Sequence, residues 1–523
     1  MIPTSNLAGM LLQTARRVPD RPGLIWRDRT WTWAEIAARV RSVAGSLRAR
    51  GVRKGDRVLV HSRNSNAMFE SMWACWMLGA VFVPTNFRLT PPEVAYLAES
   101  SGAAVHVFDT AFPEHALAAK AANKAAILHV GIGAAAGAAG ATLDWETLAK
   151  DRANAFTHPV DVDRDDPCWF FYTSGTTGRP KAAVLTHGQM EYIVCNHIAD
   201  LMPGLTEQDV SLVVAPLSHG AGIHAMPQVA RGAATVLLPG ERLDCAETWR
   251  LVERHKVSNM FTVPTILTML TRDPAVDAHD HSSLRHVIYA GAPMYRTDQQ
   301  HALRKLGPVL VQYFGLGEVT GNITVLPPHL HSVEDDPAYP IGSCGMPRVG
   351  MEVGILDAEG KRVRAGESGE ICVRGPGVFA GYHGNPDATA KAFAHGWFHT
   401  GDLGHVDARG YVYITGRASD MYISGGSNVY PREIEELLLT VPGVAEACVV
   451  GMPDPKWGES GVAVLVAGAG MAIDVETVSG HLDGKLARYK WPARYVVWAE
   501  LPKSGYGKVA KREVRIRLEA ESG

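Results

Sequence analysis

Residues 172–181 read YTSGTTGRPK and gather glycines, hydroxyl side chains and two cations in one short stretch. On either side, residues 168–172 and 182–186 are short apolar runs bounded by turn residues, which predicts a strand before the loop and a strand after it. Glycines let backbone N–H groups approach an anion, and the hydroxyls and cations add donors and positive charge. The stretch therefore predicts an anion-binding loop, and a polar surface hairpin is the alternative.

One class of nucleotide-binding protein is disfavoured by the same residues. A P-loop has the pattern G-x-x-x-x-G-K-[ST] and runs into a helix whose N-terminus meets the phosphates. The glycines and lysine of residues 172–181 do not have this spacing. No helix is predicted after the loop either, because an apolar strand follows Lys181 directly.

Outward from the loop, the first part of the chain alternates helical and strand patterns, which predicts parallel α/β layering. Helical apolar spacing covers residues 33–50 and 65–78, and strands are predicted at 57–61 and 80–83. An alanine- and glycine-rich run at 131–142 offers little to bury and predicts a surface connection.

Turn-forming residues become frequent after Tyr382, and a domain boundary is predicted near Asp420. We expect a domain over residues 1–419 and a small α+β domain over 420–523, an ordinary domain size. A helix beginning at Pro431 follows the boundary. The remaining elements predicted for this domain are strands at 447–451, 462–466 and 495–498 and a helix near 475–489.

Composition limits the partners and the location. A net charge of −3 over 523 residues gives no basic footprint for nucleic acid. The seven cysteines lie far apart without a C-x-x-C pair, which argues against a zinc site or a disulfide framework and favours the reducing cytoplasm. The most apolar run, residues 71–83, is too short to span a bilayer, and no secretion signal is predicted. The sequence is compatible with a homodimer and does not specify one.

Six motifs follow one another in a specific order. They are YTSGTTGRPK at 172–181, YAGAP at 289–293, FGLGE at 314–318, WFHTGD at 397–402, GRASDMYISGGSNVYPREIE at 416–435 and PKSGYGK at 502–508. Together they resemble the adenylate-forming superfamily of acyl-CoA synthetases, luciferases and peptide-synthetase adenylation domains. The resemblance extends over nearly the whole chain, and the ordered set is far more specific than any one motif.

The resemblance implies an α/β fold with a large N-terminal domain of layered sheets and helices and a small, mobile C-terminal domain that swings about a hinge at Asp420. It also implies a two-step reaction that uses ATP, Mg²⁺ and coenzyme A. A carboxylate first attacks the α-phosphate of ATP, which gives an acyl-adenylate and pyrophosphate. A thiol, usually that of coenzyme A, then displaces AMP.

The resemblance assigns roles to individual residues. Lys508 matches the catalytic lysine that bridges the carboxylate and the α-phosphate, and Glu318 matches the magnesium-associated glutamate. Asp402 and Arg417 match the ribose-binding residues. The remaining matches are the phosphate loop Thr173, Ser174, Gly175, Thr176, Thr177, Gly178 and Lys181, the adenine walls Gly291, Ala292, Pro293, Phe314 and Gly315, and the thiol channel at Gly425 and Gly426.

An acyl pocket is expected from His219, Ile223, Pro264, Thr265, Tyr289, Leu316 and Gly317. These residues are mostly apolar or small, and the absence of arginine and lysine disfavours a dicarboxylate, so we expect a small or medium monocarboxylate. His219 resembles a gatekeeping catalytic residue, whereas His224 fits a pocket position and a packing position equally well. Gly317 replaces the family's usual threonine, which predicts a lost phosphate contact and a locally wider pocket.

Several functions fit this pattern, led by an ATP-dependent acyl-CoA synthetase, which is an AMP-forming carboxylate-CoA ligase. An amino-acid-activating module is disfavoured, because residues 216–219 lack an acidic partner for the α-amino group and no carrier domain is predicted after Lys508. An adenylation enzyme that passes the acyl group to another acceptor, such as a carrier protein, is the alternative. A luciferase-like oxidase is compatible with the motifs. A non-catalytic nucleotide-binding protein is disfavoured because Lys508 and Glu318 are both present.

Overall fold

The structure is a computed structural model that describes residues 3–133, 140–173, 179–292, 294–425, 427–503 and 509–522. Part of the predicted alanine- and glycine-rich connection lies outside these ranges, and so do several predicted site residues. The latter are Ser174, Gly175, Thr176, Thr177, Gly178, Pro293, Gly426 and Lys508.

A first sheet carries the strands that flank the YTSGTTGRPK stretch. Its strands are parallel except for the edge pair Pro167–Thr173 and Lys181–Thr186, which is antiparallel, as the sequence predicts. In spatial order the sheet contains Lys181–Thr186, Pro167–Thr173, Val81–Thr85, Arg57–His61, Val105–Asp109, Leu128–Ile132 and Leu143–Asp144.

A second, larger sheet lies beside the first and is parallel through its centre, with antiparallel strands at both edges. In spatial order it contains Met346–Pro347, Thr324–Leu326, Leu310–Phe314, His286–Tyr289, Asn259–Thr262, Val210–Val213, Ala234–Leu237, Pro22–Trp26 and Arg29–Thr32. A small pair, Pro3–Thr4 with Val162–Asp163, lies apart from both sheets.

Helices pack on these sheets and meet around one large core. Local signals set their limits: Thr32 and Glu35 form a capping box before Trp33–Ala49, and the Ser65 side chain caps Asn66–Met77. The other α-helices up to residue 400 are Ala8–Arg17, Pro91–Ser101, Pro113–Ala122, Trp145–Lys150, His187–Asn196, Gly220–Arg231, Cys245–His255, Pro264–Arg272, Ala275–Ala278, Arg296–Leu306 and Pro386–Ala392. Short helical turns of other types lie at His197–Leu201, Gly317–Val319, Pro328–Leu330 and Ala394–Gly396.

An antiparallel sheet precedes the predicted boundary, with strands in the order Glu352–Leu356, Gly369–Arg374, Phe398–Val406 and Val412–Arg417. The last two strands form a hairpin around residues 407–410. Asp420 lies between the final strand of this sheet and the first strand of the next one, Tyr422–Ser424. Its hinge role and the 1–419 and 420–523 domain limits stay predictions.

The C-terminal part has its own sheet and its own core, as an α+β domain requires. Its strands are Tyr422–Ser424, Ser427–Val429, Val444–Asp454, Gly458–Ala467 and Arg494–Trp498, and its helices are Pro431–Leu438, Val475–Gly480 and Lys511–Ser522. One prediction is wrong in length, because the helix expected near 475–489 ends at Gly480 and turns lead to a short helical turn at Arg488–Lys490. Gly484, with φ +68°, falls within those turns. The α/β fold class is confirmed.

Two general features of the chain agree with the sequence. All seven cysteines are free thiols. Within the described ranges, no helix combines the length and the apolar character that crossing a bilayer demands.

Candidate active site

Glu318 lies where the ends of the two main sheets meet. It follows the strand Leu310–Phe314 of the second sheet and is 5% exposed in the short turn Gly317–Val319. The Thr173 hydroxyl, at the end of a first-sheet strand, donates to Glu318 Oε1 over 2.9 Å. The Tyr382 hydroxyl donates to the same oxygen, also over 2.9 Å. One oxygen of a buried carboxylate is therefore fixed by hydroxyls from two separate segments.

Tyr382 also contacts the cation at the far end of the phosphate-loop stretch. Lys181 is the direct strand partner of Thr173, and its Nζ lies 4.5 Å from the centre of the Tyr382 ring, a cation–π distance. Burial, together with the negative charge of Glu318, raises the pKa of Tyr382, so its hydroxyl keeps its proton and remains a donor. Sequence reasoning missed Tyr382, since nothing in one sequence joins it to a glutamate 64 residues away.

Gly317 is surrounded by side chains. A Cβ atom built there would lie 2.6 Å from Phe171 Cδ1 and 2.7 Å from Thr173 Cγ2. The expectation that glycine widens the acyl pocket is wrong at this point, because the Phe171 ring and the Thr173 methyl group fill the space. Glycine here permits close packing of Thr173 beside the carboxylate that it orients.

We expect Gly317→Ala to lower the free energy of unfolding by about 1–3 kcal/mol, the usual cost of overpacking. Displacement of Thr173 is also expected to weaken its hydrogen bond to Glu318. Thermal denaturation measures the first effect, with Gly9→Ala as the matched control because a Cβ at Gly9 has no neighbour within 4 Å. Equal melting temperatures for Gly317→Ala and Gly9→Ala would contradict the close packing.

An aromatic wall lies on the other side of Phe171. The His219 ring packs edge-on against Phe171, with 4.4 Å between ring centres. Gly220, which opens the helix Gly220–Arg231, admits the Phe261 ring, since a Cβ there would lie 2.7 Å from it. Ile223 and Leu316 belong to the same core. The structure thus brings two predicted pocket residues, His219 and Gly317, against the same Phe171 ring.

His224 is packed between aromatic rings. It stacks on Phe261 with 4.5 Å between ring centres and on Tyr313 with 5.7 Å. Burial, with the nearby positive charge of Arg348, lowers the pKa of His224 to about 3, so the ring is neutral at physiological pH. Of the two interpretations of His224, the packing one agrees with this geometry.

The remaining predicted pocket residues are Tyr289, Pro264 and Thr265. The Tyr289 ring is buried in a separate core, and its hydroxyl lies 3.0 Å from Gln312 Oε1 and 2.8 Å from Gln299 Nε2. Side chains alternate along a strand, which places Tyr289 on the face opposite Ile288 and Ala290. Pro264 is buried at the start of the helix Pro264–Arg272, and Thr265 is exposed. The Tyr289 side chain therefore lies in a different core from Ile223 and Leu316, and its role in the acyl pocket stays a prediction.

The predicted ribose-binding pair is preassembled across two strands. Asp402 faces Arg417 in the antiparallel register, and Arg417 Nε donates to Asp402 Oδ1 over 3.0 Å. The Asp402 side chain is 6% exposed and the Arg417 side chain 53%. The buried carboxylate thus orients an exposed guanidinium, which can donate two hydrogen bonds to a ligand.

Packing connects this pair to Glu318. The Phe379 N–H donates to the Glu318 carbonyl over 2.8 Å, and the Phe379 ring lies 5.3 Å from that of Phe398. Phe398 begins the strand that contains Asp402. The carboxylate, the phosphate-loop ends and the ribose pair are thus positioned by one continuous set of contacts.

The other predicted nucleotide residues are near strand ends. Gly291, with φ +85°, and Ala292 follow the strand His286–Tyr289, and Phe314 ends its neighbour. Gly315 lies against the Gly321 backbone, where a Cβ would be 2.4 Å from Gly321 Cα. Gly425, with φ +56°, donates its N–H to the Trp457 carbonyl over 2.9 Å.

Comparison with known proteins identifies relatives along the whole length of the chain. The family model described as AMP-binding enzyme matches residues 11–383, and the AMP-binding enzyme C-terminal domain matches residues 433–508. A feruloyl-CoA synthase from Amycolatopsis is 37% identical over 98% of this chain and 99% of that one. A fatty acid–[acyl-carrier-protein] ligase from Streptomyces coeruleorubidus is 33% identical over 97% and 95%.

A solved structure extends this similarity to three dimensions. The o-succinylbenzoate CoA synthetase of Bacillus subtilis, in complex with its acyl-adenylate intermediate, superposes with a TM-score of 0.83 at 30% identity, covering 98% of this chain and 99% of that one. The same enzyme has been solved with ATP and a magnesium ion.

Proposed function

This chain belongs to the AMP-binding enzyme family, and from that membership we propose that it is an ATP-dependent acyl-CoA synthetase for a monocarboxylic acid. The observation that carries the proposal is the buried Glu318 carboxylate. It accepts hydrogen bonds from Thr173, which ends the strand before the phosphate loop, and from Tyr382. The relatives that act as CoA ligases support coenzyme A as the acceptor.

In the first step, a carboxylate oxygen bonds to the α-phosphorus of ATP while the bond to pyrophosphate breaks. Both reactants are anionic, so the site has to neutralise charge and align the attacking and leaving oxygens. Lys181 supplies fixed positive charge beside Thr173, and we assign the bridging role between carboxylate and α-phosphate to Lys508. In the second step, the coenzyme A sulfur bonds to the acyl carbon, AMP leaves with one oxygen of the acid, and the thiol proton is released.

The residues at Glu318 fit a magnesium ion. Among the described residues both hydroxyl donors bind Oε1, which orients the carboxylate so that Oε2 can bind a hard cation that prefers oxygen ligands. Such an ion, when bound, neutralises charge on the phosphates. Support for ATP with magnesium also comes from the complex of the Bacillus subtilis enzyme.

For the acid, we propose an aromatic acyl group of small or medium size. The Phe171 ring lies beside Gly317 and packs on His219, and the Phe261 ring lies against Gly220, the residue that follows His219. Aromatic rings favour edge-on or offset contacts with another ring. Arg348 is buried nearby, and its Nε forms an ion pair with the Asp200 carboxylate over 3.5 Å. An aryl monocarboxylate therefore fits better than a dicarboxylate.

A panel of carboxylic acids tests the proposal by pyrophosphate release with and without coenzyme A. We expect release with ferulate and other aryl acids, weaker release with medium-chain fatty acids, none above background with malonate, and thioester only when coenzyme A is present. Pyrophosphate and AMP without thioester would favour the carrier-protein acceptor, for which the relative from Streptomyces coeruleorubidus provides a specific reason. A rate of pyrophosphate release that is the same with every acid and without acid would contradict the proposal.

Arg417→Ala is expected to raise KM for ATP about tenfold with little change in kcat, since a ribose hydrogen bond to a charged group contributes to ground-state and transition-state binding alike. Steady-state kinetics at saturating acid measures this. Arg409→Ala is the matched control, because Arg409 pairs with Asp407 over 3.3 Å in the same hairpin, away from the predicted site. An equal rise in KM for both variants would argue against ribose recognition by Arg417.

A further inference from the structure

Three side chains of different ligand chemistry meet on the antiparallel sheet that precedes Asp420. Cys372 and His399 are direct partners across the strands Gly369–Arg374 and Phe398–Val406, and Glu370 precedes Cys372 by two residues on the same strand. Residues two apart on a strand share a face, so both side chains of that strand point toward His399.

The ligand atoms of these side chains are already close together. His399 Nδ1 lies 2.8 Å from Glu370 Oε2 and 3.4 Å from Cys372 Sγ. One carboxylate oxygen, the sulfur and one imidazole nitrogen all lie within 4.8 Å of one another. A carboxylate, a thiol and an imidazole thus converge on one point.

Neighbouring backbone groups orient two of the ligands toward that point. His399 Nε2 lies 3.1 Å from the Ala394 carbonyl, which only accepts, so Nε2 carries a hydrogen and Nδ1 is the ring nitrogen that faces Glu370 and Cys372. The Gly401 N–H donates to Glu370 Oε1 over 2.9 Å, which turns Oε2 inward. A backbone carbonyl on the remote nitrogen of a histidine and a hydrogen bond on the remote carboxylate oxygen are usual around metal ligands.

We propose that Glu370, Cys372 and His399 form a binding site for a thiophilic divalent cation of the Zn²⁺ class, with three protein ligands and a fourth position open to solvent. Tetrahedral zinc with Zn–N of about 2.0 Å and Zn–S of about 2.3 Å places ligand atoms about 3.3–3.6 Å apart. The 3.4 Å between nitrogen and sulfur meets this, and the nitrogen–oxygen distance has to lengthen by roughly half an ångström.

The chemistry of the ligands separates this site from the magnesium position assigned to Glu318. Magnesium prefers oxygen ligands and near-octahedral geometry, whereas sulfur and imidazole ligands select zinc and its neighbours. The Glu370 and His399 side chains are 29% and 18% exposed, so an ion can reach them from solvent. Binding displaces the thiol proton of Cys372 and the hydrogen that lies between His399 Nδ1 and Glu370 Oε2, and both are released to solvent.

The spacing of the cysteines in the sequence argues against a zinc site. Spacing along the chain cannot indicate this cluster, because its members come from two different strands. Cys372 and His399 are 27 residues apart and become neighbours only through antiparallel pairing. The usual short-range cysteine pair is replaced by a pair across two strands.

The full-length protein, stripped of metal and kept in excess Mg²⁺, is titrated with Co²⁺, whose thiolate complexes absorb in the near ultraviolet. We expect one equivalent of Co²⁺ to produce this band and Zn²⁺ to displace it. Cys372→Ala is expected to abolish the band and Glu370→Gln to weaken binding at least tenfold. Cys195→Ala, which removes an exposed thiol outside the cluster, is expected to retain it.

No saturable band in the wild type, or a band retained by Cys372→Ala, would overturn the proposal. A thermal melt without metal checks that each variant is folded. Glu370→Gln replaces a partly exposed carboxylate by an isosteric amide, and full Co²⁺ affinity in this variant would also overturn the proposed ligand set. The readout is metal binding, so its outcome is independent of the activity proposed above.

Discussion

Lys508→Ala is expected to slow acyl-adenylate formation about 10²–10³-fold, the usual effect of removing one preorganised group that stabilises charge in the transition state. In the role we propose, its ammonium bridges the carboxylate and the α-phosphate only in the first step. Thioester formation from supplied acyl-adenylate and coenzyme A is therefore expected to stay near the wild-type rate. Rapid-quench measurement of each half-reaction separates the two effects.

Lys503→Ala is the control for that experiment. Lys503 lies in the same PKSGYGK motif, and its Nζ pairs with the Glu446 carboxylate over 2.7 Å. It has no proposed role in the chemistry, so both half-reactions should proceed normally in this variant. Equal loss of the two half-reactions in Lys508→Ala would show that the lysine serves folding or both steps alike.

The second large effect is expected from Glu318→Gln. The amide keeps the shape of the side chain and an oxygen that accepts from Thr173 and Tyr382, but it removes the negative charge. We expect kcat/KM for pyrophosphate release to fall about 10²-fold or more, because charge stabilisation at a phosphate is lost. The Mg²⁺ concentration that gives half-maximal rate should rise in parallel.

Two further variants test whether the loss of rate in Glu318→Gln is specific to this carboxylate. Tyr382→Phe removes one hydrogen bond to the carboxylate and should cost about tenfold, the lower end for one hydrogen bond to a charged group. Glu433→Gln removes a surface carboxylate paired with Lys490 and should leave the rate unchanged. An unaltered Mg²⁺ dependence in Glu318→Gln would remove the metal role from this residue.

Local patterns predicted much of the fold correctly. The helix Trp33–Ala49 and the strand Arg57–His61 follow from apolar spacing, a signal that lies within a few neighbouring residues. The helix that starts at Pro431 is set by proline at its first position. Apolar spacing gave a wrong prediction near residue 480. The spacing continues to residue 489, but the helix ends at Gly480 and the chain turns at Gly484, which has a positive φ.

The parts of the site that escaped prediction depend on contacts between distant segments. Tyr382 reaches Glu318 through the folding of two sheets against each other, and Phe171 occupies the space beside Gly317 for the same reason. The cluster at Cys372 and His399 arises from strand pairing. Motif order identified the chemistry of the site, whereas the neighbours that orient each group became visible only in three dimensions.

The most direct test of the central claim follows oxygen from the acid into the products. A carboxylic acid accepted in the pyrophosphate assay is labelled with ¹⁸O in both carboxylate oxygens and converted with ATP and coenzyme A, and AMP is analysed by mass spectrometry. Attack of the carboxylate on the α-phosphorus requires one ¹⁸O in each AMP formed. Unlabelled AMP, or label in pyrophosphate or phosphate, would contradict an acyl-adenylate.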